Sequence, residues 1–539
     1  MKQIHLVSRS WCLWTAAVLV LASNLPAQEP PTPSASSSVQ EELIVDLSTL
    51  GGGFGVAAIS PDLRRAALAT KRGKQYALFL DGQQLGGVFD EFQWQKFSPD
   101  SQHFAFSGRR GRQFVLVIDG VEQAPMKIGP ALAFSNDGRI AYVAAAADKY
   151  RMILDGKPSP DYEAVGLPVF SPDGQRFAYA ASRQGRWVVL LDGQEHSKEY
   201  DEISLLTFSA DSARLFYAGK YRNRMTGDEW VMVIDGKEDP RYTLVGGLVF
   251  SDDGQHYAYA GARDPGTKAT KEEHGQGTIV HDGQPGPVFQ GLLISSGILT
   301  GFFYQYTPTV TLSLSAPGCG VSPPRISPDG KRVAYLAHTL AKGKDFAVVL
   351  DGQPGPTYEF FMTHPAFTPD SQHVVYFVKV KDTVVELRDH KVVREIPFKN
   401  PAVKSVTFSA DSRRMAFLID TGGAGKAVTF VGADDQQTAS LSYFGAVARR
   451  RVVVEGDAPQ EFEFESISVG APIFSPNGKY LAVPLVQPRD RKALFAVNGE
   501  PGKPYDIIFG DTLRFSSENE ILYAAKEGQK ILRVTQKLP

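Results

Sequence analysis

FSPDGQRFAYAASRQGRWVVLLDG, residues 170–193, is the stretch that decides how the rest of the chain reads. Pro172 presets φ for a tight turn, Asp173 can bond nearby amides, and Gly174 accepts a left-handed conformation. Phe177-Ala178-Tyr179 then alternates with period two, the signature of a strand with one face buried. A second apolar run ends in Asp192-Gly193, a strong hairpin signal between two strands. This stretch therefore predicts strand, turn, strand, hairpin and strand, with no helix.

The same unit recurs along the chain. Its first half returns as FSPDSQHFAF from Phe97, FSDDGQHYAYA from Phe250, ISPDGKRVAY from Ile326, FTPDSQHVVYF from Phe367 and FSPNGKYLAV from Phe474. Its second half returns as FVLVIDG ending at Gly120, WVMVIDG at Gly236 and FAVVLDG at Gly352. The hydroxyl residue that opens each turn falls at Ser60, Ser98, Ser135, Ser171, Ser209, Ser251, Ser327, Thr368, Ser409, Ser475 and Ser516. Most gaps are 36 to 42 residues, but two depart from that period. The 76-residue gap from Ser251 to Ser327 predicts a decayed copy around Ile294 to Tyr304, and the 66-residue gap from Ser409 to Ser475 predicts an insertion within Thr421 to Arg449.

About twelve four-stranded units of some 40 residues, without helices, predict an all-β fold of β-propeller type. Phe89, Tyr162, Tyr200, Tyr242, Phe289, Tyr358 and Tyr505 recur in register after the Asp-Gly turns and are expected to pack between neighbouring blades. The repeated F-S-P-D-G turn resembles that of the TolB-like and WD-repeat-like propellers of bacterial exported proteins. The resemblance covers residues 41–539, and the absence of a Trp-Asp dipeptide makes the TolB-like branch the nearer one. It implies a fold and leaves the activity open, because propellers host many functions.

Propellers typically close with 4 to 8 blades. Twelve units therefore predict two tandem six-bladed rings, residues 41–290 and 291–539, the second opening on its degenerate blade. The last unit lacks a fourth strand, and Glu42 to Leu47 (ELIVDL) is a candidate to supply it from the other end of the chain.

Lys2, Arg9 and the apolar run Trp11 to Ala22 read as a signal peptide over residues 1–27. Residues 28–40 (QEPPTPSASSSVQ) read as a flexible Pro- and Ser-rich leader. The expected location is periplasmic or extracellular. Only Cys319 follows the signal segment, so no internal disulfide is expected. The net charge of −2 lacks the basic excess of a nucleic-acid binder, and no further run is long enough to span a bilayer. A monomer is expected.

The interval from turn hydroxyl to hairpin Asp measures the loop between the second and third strands. It is 20 or 21 residues in the first four units, then 26 (Ser209 to Asp235), 31 (Ser251 to Asp282) and 24 (Ser327 to Asp351). The lengthened loops carry Lys220, Tyr221, Arg222, Arg224, Arg263, Asp264, Lys268, Lys271, Glu272, Glu273 and His274. These are the candidate binding residues, since loops on a rigid scaffold carry function more often than its strands.

No Gly-x-Ser-x-Gly, His-Glu-x-x-His or Cys-x-x-Cys occurs, so no catalytic residue, metal site or cofactor is expected. Gly422-Gly423-Ala424-Gly425-Lys426 lacks both the first Gly and the final Ser or Thr of a phosphate loop. His103, His256 and His373 each stand five residues after a turn hydroxyl, where Arg65, Arg176 and Arg332 also occur, and read as surface turn residues. Asp90, Glu91, Asp201, Glu202 and Asp506 follow the repeated aromatic and read as structural. The sequence thus points to a scaffold for a protein or peptide partner. The alternative is a propeller enzyme or small-ligand binder (hydrolase-, lactonase- or glycosidase-like) with its site in a central channel.

Overall fold

The computed structural model describes residues 38–50, 53–127, 131–146, 148–223, 227–263, 276–290, 323–338, 346–397, 402–420, 428–429, 443–444, 448–456, 460–466 and 468–539. Among them, eleven antiparallel sheets of four or five strands run in meander order, a two-stranded sheet pairs Val428–Thr429 with Tyr443–Phe444, and no α-helix occurs. Blade 1 takes residues 54–89, blade 2 91–122, blade 3 132–158, blade 4 164–195, blade 5 202–242 and blade 6 244–290. Blade 7 takes 325–358, blade 8 360–397, blade 9 402–466 and blade 10 468–501. Residues 507–537 supply three strands of blade 11, and the fourth is Ser38–Asp46, paired antiparallel with Lys530–Lys537. The strand expected from ELIVDL is therefore present, and it already begins at Ser38.

First strands of successive blades touch one another, so they line the centre and the fourth strands form the rim. Burial occurs at the seams. The alternation that exposes one side chain to each face of a sheet gives every blade two apolar faces, and each face needs a neighbour. Fourteen buried clusters supply them, at least one at each of the eleven seams. Ala67 and Phe104 join blades 1 and 2, Ala178 and Phe208 blades 4 and 5, and Ala258 and Val333 blades 6 and 7. Leu336 and Tyr376 join blades 7 and 8, Val375 and Phe417 blades 8 and 9, and Ala482 and Ile521 blades 10 and 11. Leu63 and Leu522 close the circle between blades 11 and 1.

This corrects the expectation of about twelve blades in two six-bladed rings. The described residues form eleven blades in one closed ring. Blade 6 packs directly on blade 7, with the Asp252 amide donating to the Pro328 carbonyl at 3.3 Å. The decayed copy sought near Ile294 lies outside the described residues. In blade 9, Met415–Asp420 pairs directly with Ala448–Glu455, so the extra length there is an insertion between two paired strands.

The repeated aromatics act as expected. Phe89, Tyr200, Tyr242 and Tyr505 are fully buried. A Cβ added to Gly219 would lie 2.5 Å from the Tyr200 ring, and one added to Gly261 would lie 2.7 Å from the Tyr242 ring. Each ring thus lies flat on a glycine in the next blade's second strand, and Phe89 does the same on Gly108. In blade 2, Met126 bridges to Phe114 where other blades have the aromatic.

Candidate functional site

The ring has two faces, and the repeat builds them differently. On one face lie the turns between first and second strands and those between third and fourth. Ser60, Ser98, Ser171, Ser209, Ser327 and Ser409 are buried, and each hydroxyl donates to the Asp two residues on while accepting a later amide of its own turn. The Ser hydroxyl, followed by a turn amide, holds the carboxyls of Asp173, Asp253 and Asp411 below the usual range. These aspartates are turn formers. Ser101, Ser212, Ser371 and Ser412 replace the turn Gly at φ of 60° to 64°, and each hydroxyl accepts the turn-Asp amide of the preceding blade, at 2.8 to 3.1 Å.

The basic residue after each turn is a latch. Arg65, Arg139 and Arg332 pair with the hairpin aspartates Asp81, Asp155 and Asp351 of their own blades. Arg139 also reaches the Gly174 carbonyl of the next blade at 3.0 Å, and Arg332 reaches Gln372 at 2.7 Å. The guanidiniums of Arg65, Arg139, Arg176, Arg332 and Arg414 lie 5.2 to 5.8 Å from the rings of Phe97, Phe170, Phe208, Phe367 and Phe474, the residues that open the next blade's turn. The Nδ1 atoms of His103, His256 and His373 stand 2.6 to 2.7 Å from Asp119, Asp282 and Asp389. These histidines and arginines stand at the turns, part-exposed, and they also connect two hairpins of one blade.

On the opposite face, the acid after each repeated aromatic caps the hairpin between second and third strands. Asp90 accepts the Gly111 amide, Glu163 that of Gly185, Asp201 that of Arg222 and Asp506 that of Gly528, at 2.7 to 2.9 Å. Asp90, Asp201 and Asp506 are structural, as the repetition implied. Glu91 and Glu202 pair instead with Arg109 and Lys220.

The hairpins on this face fall into two arcs. Two residues separate second from third strand in blades 1 to 4, between Arg72 and Gln75, Arg110 and Gln113, Ala146 and Lys149, and Arg183 and Arg186. Blade 11 has the same short turn between Glu527 and Lys530, as does blade 8 between Val380 and Thr383. Seven residues intervene in blade 5 between Tyr221 and Glu229, and twelve in blade 6 between Arg263 and Gln276. Blade 7 has seven between His338 and Phe346, blade 9 has twenty-seven between Asp420 and Ala448, and blade 10 has six between Val486 and Ala493. Gln290, the last described residue of blade 6, pairs with Gln276 and so also ends on this face.

Of the candidate binding residues, the structure brings Lys220, Tyr221 and Arg222 together at the end of one strand of blade 5. Lys220 pairs with Asp228 at 2.8 Å and lies over the Trp230 ring, and these carboxylates raise its pKa. The Tyr221 hydroxyl donates to Glu238 at 2.5 Å, and Arg241 stacks on its ring at 4.1 Å. These side chains form the base of the blade 5 loop. Arg263 ends a strand by pairing with Gln276. Arg224, Asp264, Lys268, Lys271, Glu272, Glu273 and His274 lie outside the described residues.

No protein-family model and no curated protein matches this sequence. Solved structures do. TolB from Acinetobacter baumannii is 15% identical over 43% of this chain and 62% of its own, with a TM-score of 0.24. The C-terminal WD40 domain of Sif2 is 10% identical over 74% and 92%, with a TM-score of 0.30, and the tricorn protease 12% identical over 87% and 55%, with a TM-score of 0.28. The likeness is one of fold. The propeller assignment itself rests on the sheets.

The central strands hold one unusual cation. Lys96, half-buried on the first strand of blade 2, donates to the Leu132 carbonyl of blade 3 at 3.0 Å, beside the Trp94 and Phe134 rings. Loss of hydration brings its ammonium down to about 8. The seam between blades 8 and 9 is also unusual. Glu386, fully buried there, adjoins Glu455, which Arg394 approaches at 2.5 Å and Arg388 at 3.7 Å. Burial first, and the second carboxylate next, push Glu386 up to about 8.

Among the described residues, no helix is long and apolar enough to cross a membrane.

Proposed function

We propose that this chain is an exported scaffold that binds a protein or peptide partner with one arc of the loop-bearing face of its ring. The observation that carries this reading is the grouping of long hairpins in blades 5, 6, 7, 9 and 10, opposite five consecutive blades with two-residue turns. Random lengthening has no reason to spare blades 11 and 1 to 4, whereas a partner seated over one side of the ring selects loops on that side. The turn face offers less for recognition, because its hydroxyls and carboxylates are engaged within and between blades. Export rests on the basic and apolar character of residues 1–27.

The test uses the mature chain as bait in an envelope extract, beside a variant in which residues 222–228 are replaced by the Gly-Arg turn of blade 2. Crosslinks from a partner to blades 5 to 7 that are lost in the variant support the reading. A partner bound equally by both, or crosslinked to blades 1 to 4, overturns it. Lys96 favours a second reading, a small-ligand site in the channel. That reading requires labelling of Lys96 by an amine-reactive probe near pH 8 to be blocked by the ligand.

A further inference from the structure

One seam on the turn face carries more than the common latch. In blades 2, 6 and 8 the residue five after the turn hydroxyl is His, and its Nδ1 meets the hairpin Asp. The residue before that hairpin position is Leu80, Ile118, Leu154, Leu191, Ile234, Leu350, Val454 or Val497 in eight blades. Blade 6 has His281 there, and blade 8 has Arg388. Blade 6 alone therefore sets a second imidazole beside the His–Asp pair.

The geometry around that pair is specific. His256 Nδ1 stands 2.6 Å from Asp282 Oδ2, and His281 Nε2 stands 3.6 Å from the same oxygen. One donor atom from each residue fits within a 4.8 Å span. Asp282 Oδ1 accepts the Tyr257 amide at 2.9 Å, which fixes the carboxylate and leaves Oδ2 toward the histidines. From blade 7, the Gly330 carbonyl lies 2.8 Å from His281 Nε2. Gly330 has φ +73°, and a Cβ on it would overlap the His256 ring, so glycine alone permits this approach. In blade 8, by contrast, His390 Nδ1 meets the Tyr376 hydroxyl at 3.0 Å.

Two imidazoles, one carboxylate oxygen held from behind and one carbonyl make a nitrogen–oxygen donor set suited to a borderline divalent ion. We propose that His256, His281 and Asp282, completed by the Gly330 carbonyl, bind one zinc-type ion that ties blade 6 to blade 7. The sequence did not suggest this site, since the histidines are 25 residues apart, His256 just before one strand and His281 at the end of the next.

The experiment titrates untagged, metal-stripped mature chain with zinc chloride by calorimetry and repeats it with cobalt chloride, whose visible spectrum reports coordination by nitrogen. One ion per chain is expected, with a higher Tm in zinc. His281→Leu, which installs the residue of blade 7, is expected to weaken binding about tenfold or more and to abolish the rise in Tm. His256→Arg, the residue of blades 1, 3 and 7, does the same from a turn and serves if the first variant does not fold. His373→Arg, the matching change in blade 8, leaves binding intact. Absence of saturable zinc binding by the parent chain, or unchanged affinity in a folded His281 or His256 variant, overturns the proposal.

Discussion

Blades 11 and 1 to 4 are built from the same repeat as blades 5 to 7, 9 and 10, and at the seams the two arcs are interchangeable. Phe89 on Gly108 in the first arc and Tyr242 on Gly261 in the second are the same aromatic-on-glycine contact. Arg65 over Phe97 and Arg414 over Phe474 are the same latch. In length the arcs part on the face opposite the latches, where one has two-residue hairpins and the other has more residues between second and third strands. Seams are held to one geometry by close packing, in which even a methylene is felt. Loop length is cheap by comparison, each doubling costing only about 0.6 kcal/mol. Variation has therefore collected where the scaffold does not resist it.

The largest effect should come from breaking the short-hairpin arc at its closure. Removing residues 38–46 strips blade 11 of its rim strand, together with the bonds from Lys503 and Tyr505 to Glu41 at 2.7 and 2.6 Å. Circular dichroism melting is expected to show no cooperative transition for that truncation. Retention of the parent Tm would mean that the ring does not depend on its ends meeting.

Equivalence of the seams is checked by Phe89→Ala and Tyr242→Ala, one in each arc. Each should cost about 3–5 kcal/mol, since a buried ring is lost and a glycine cannot fill the space. Denaturant unfolding that shows one variant much milder than the other would break the symmetry drawn above. Gly219→Ala should also destabilise, by about 1–3 kcal/mol, because the methyl would press on the Tyr200 ring.

The seam between blades 8 and 9 gives a pH-dependent contrast within the long-loop side. Glu386 is raised from 4.5 to about 8 in the folded chain. Through this group the folded state binds more protons than the unfolded state between those values, so the contribution of Glu386 to stability is fully present below about 4.5 and is lost as pH rises toward 8. Glu386→Gln should flatten that decline. Urea midpoints at pH 5, 6.5 and 8 measure it, and an unchanged slope would show that the Glu386–Glu455 pair does not carry a proton.

The smallest effect on stability is expected from the loops themselves. Replacing residues 222–228 with the two-residue turn of blade 2 removes the Lys220–Asp228 pair, a half-exposed ion pair worth under about 1 kcal/mol. A loss of several kcal/mol would show the loop to be part of the fold and would weaken its assignment to recognition.

Much of this was legible in the sequence. Ser-Pro-Asp-Gly and Asp-Gly specify turns through their own backbone and side-chain bonds, so they act locally and can be read locally. The register of Phe89, Tyr200 and Tyr505 marked the seams for the same reason, since each repeat must present its ring at a fixed distance from its turn. Lys220, Tyr221 and Arg222 were found through loop length, but their partners Asp228, Glu238 and Asp201 were not, because those bonds cross strands. His281 left only a faint signal, one of two polar residues, with Arg388, where eight sibling units have Leu, Ile or Val.

The amino-acid sequence by itself determined the strand-and-turn unit, its repetition, and the use of one end of the chain to complete the other, because each depends on chemistry within about 40 residues or on a strand conspicuously missing. The tertiary structure alone decided that eleven blades close in one ring. Closure depends on the small rotation at every seam, set by how Phe, Arg and Gly side chains of neighbouring repeats fit together, and no single repeat records that angle. It also decided which residues share a seam, and so brought His256 and Gly330, from turns of two blades, and His281, from the end of a strand, to a single point.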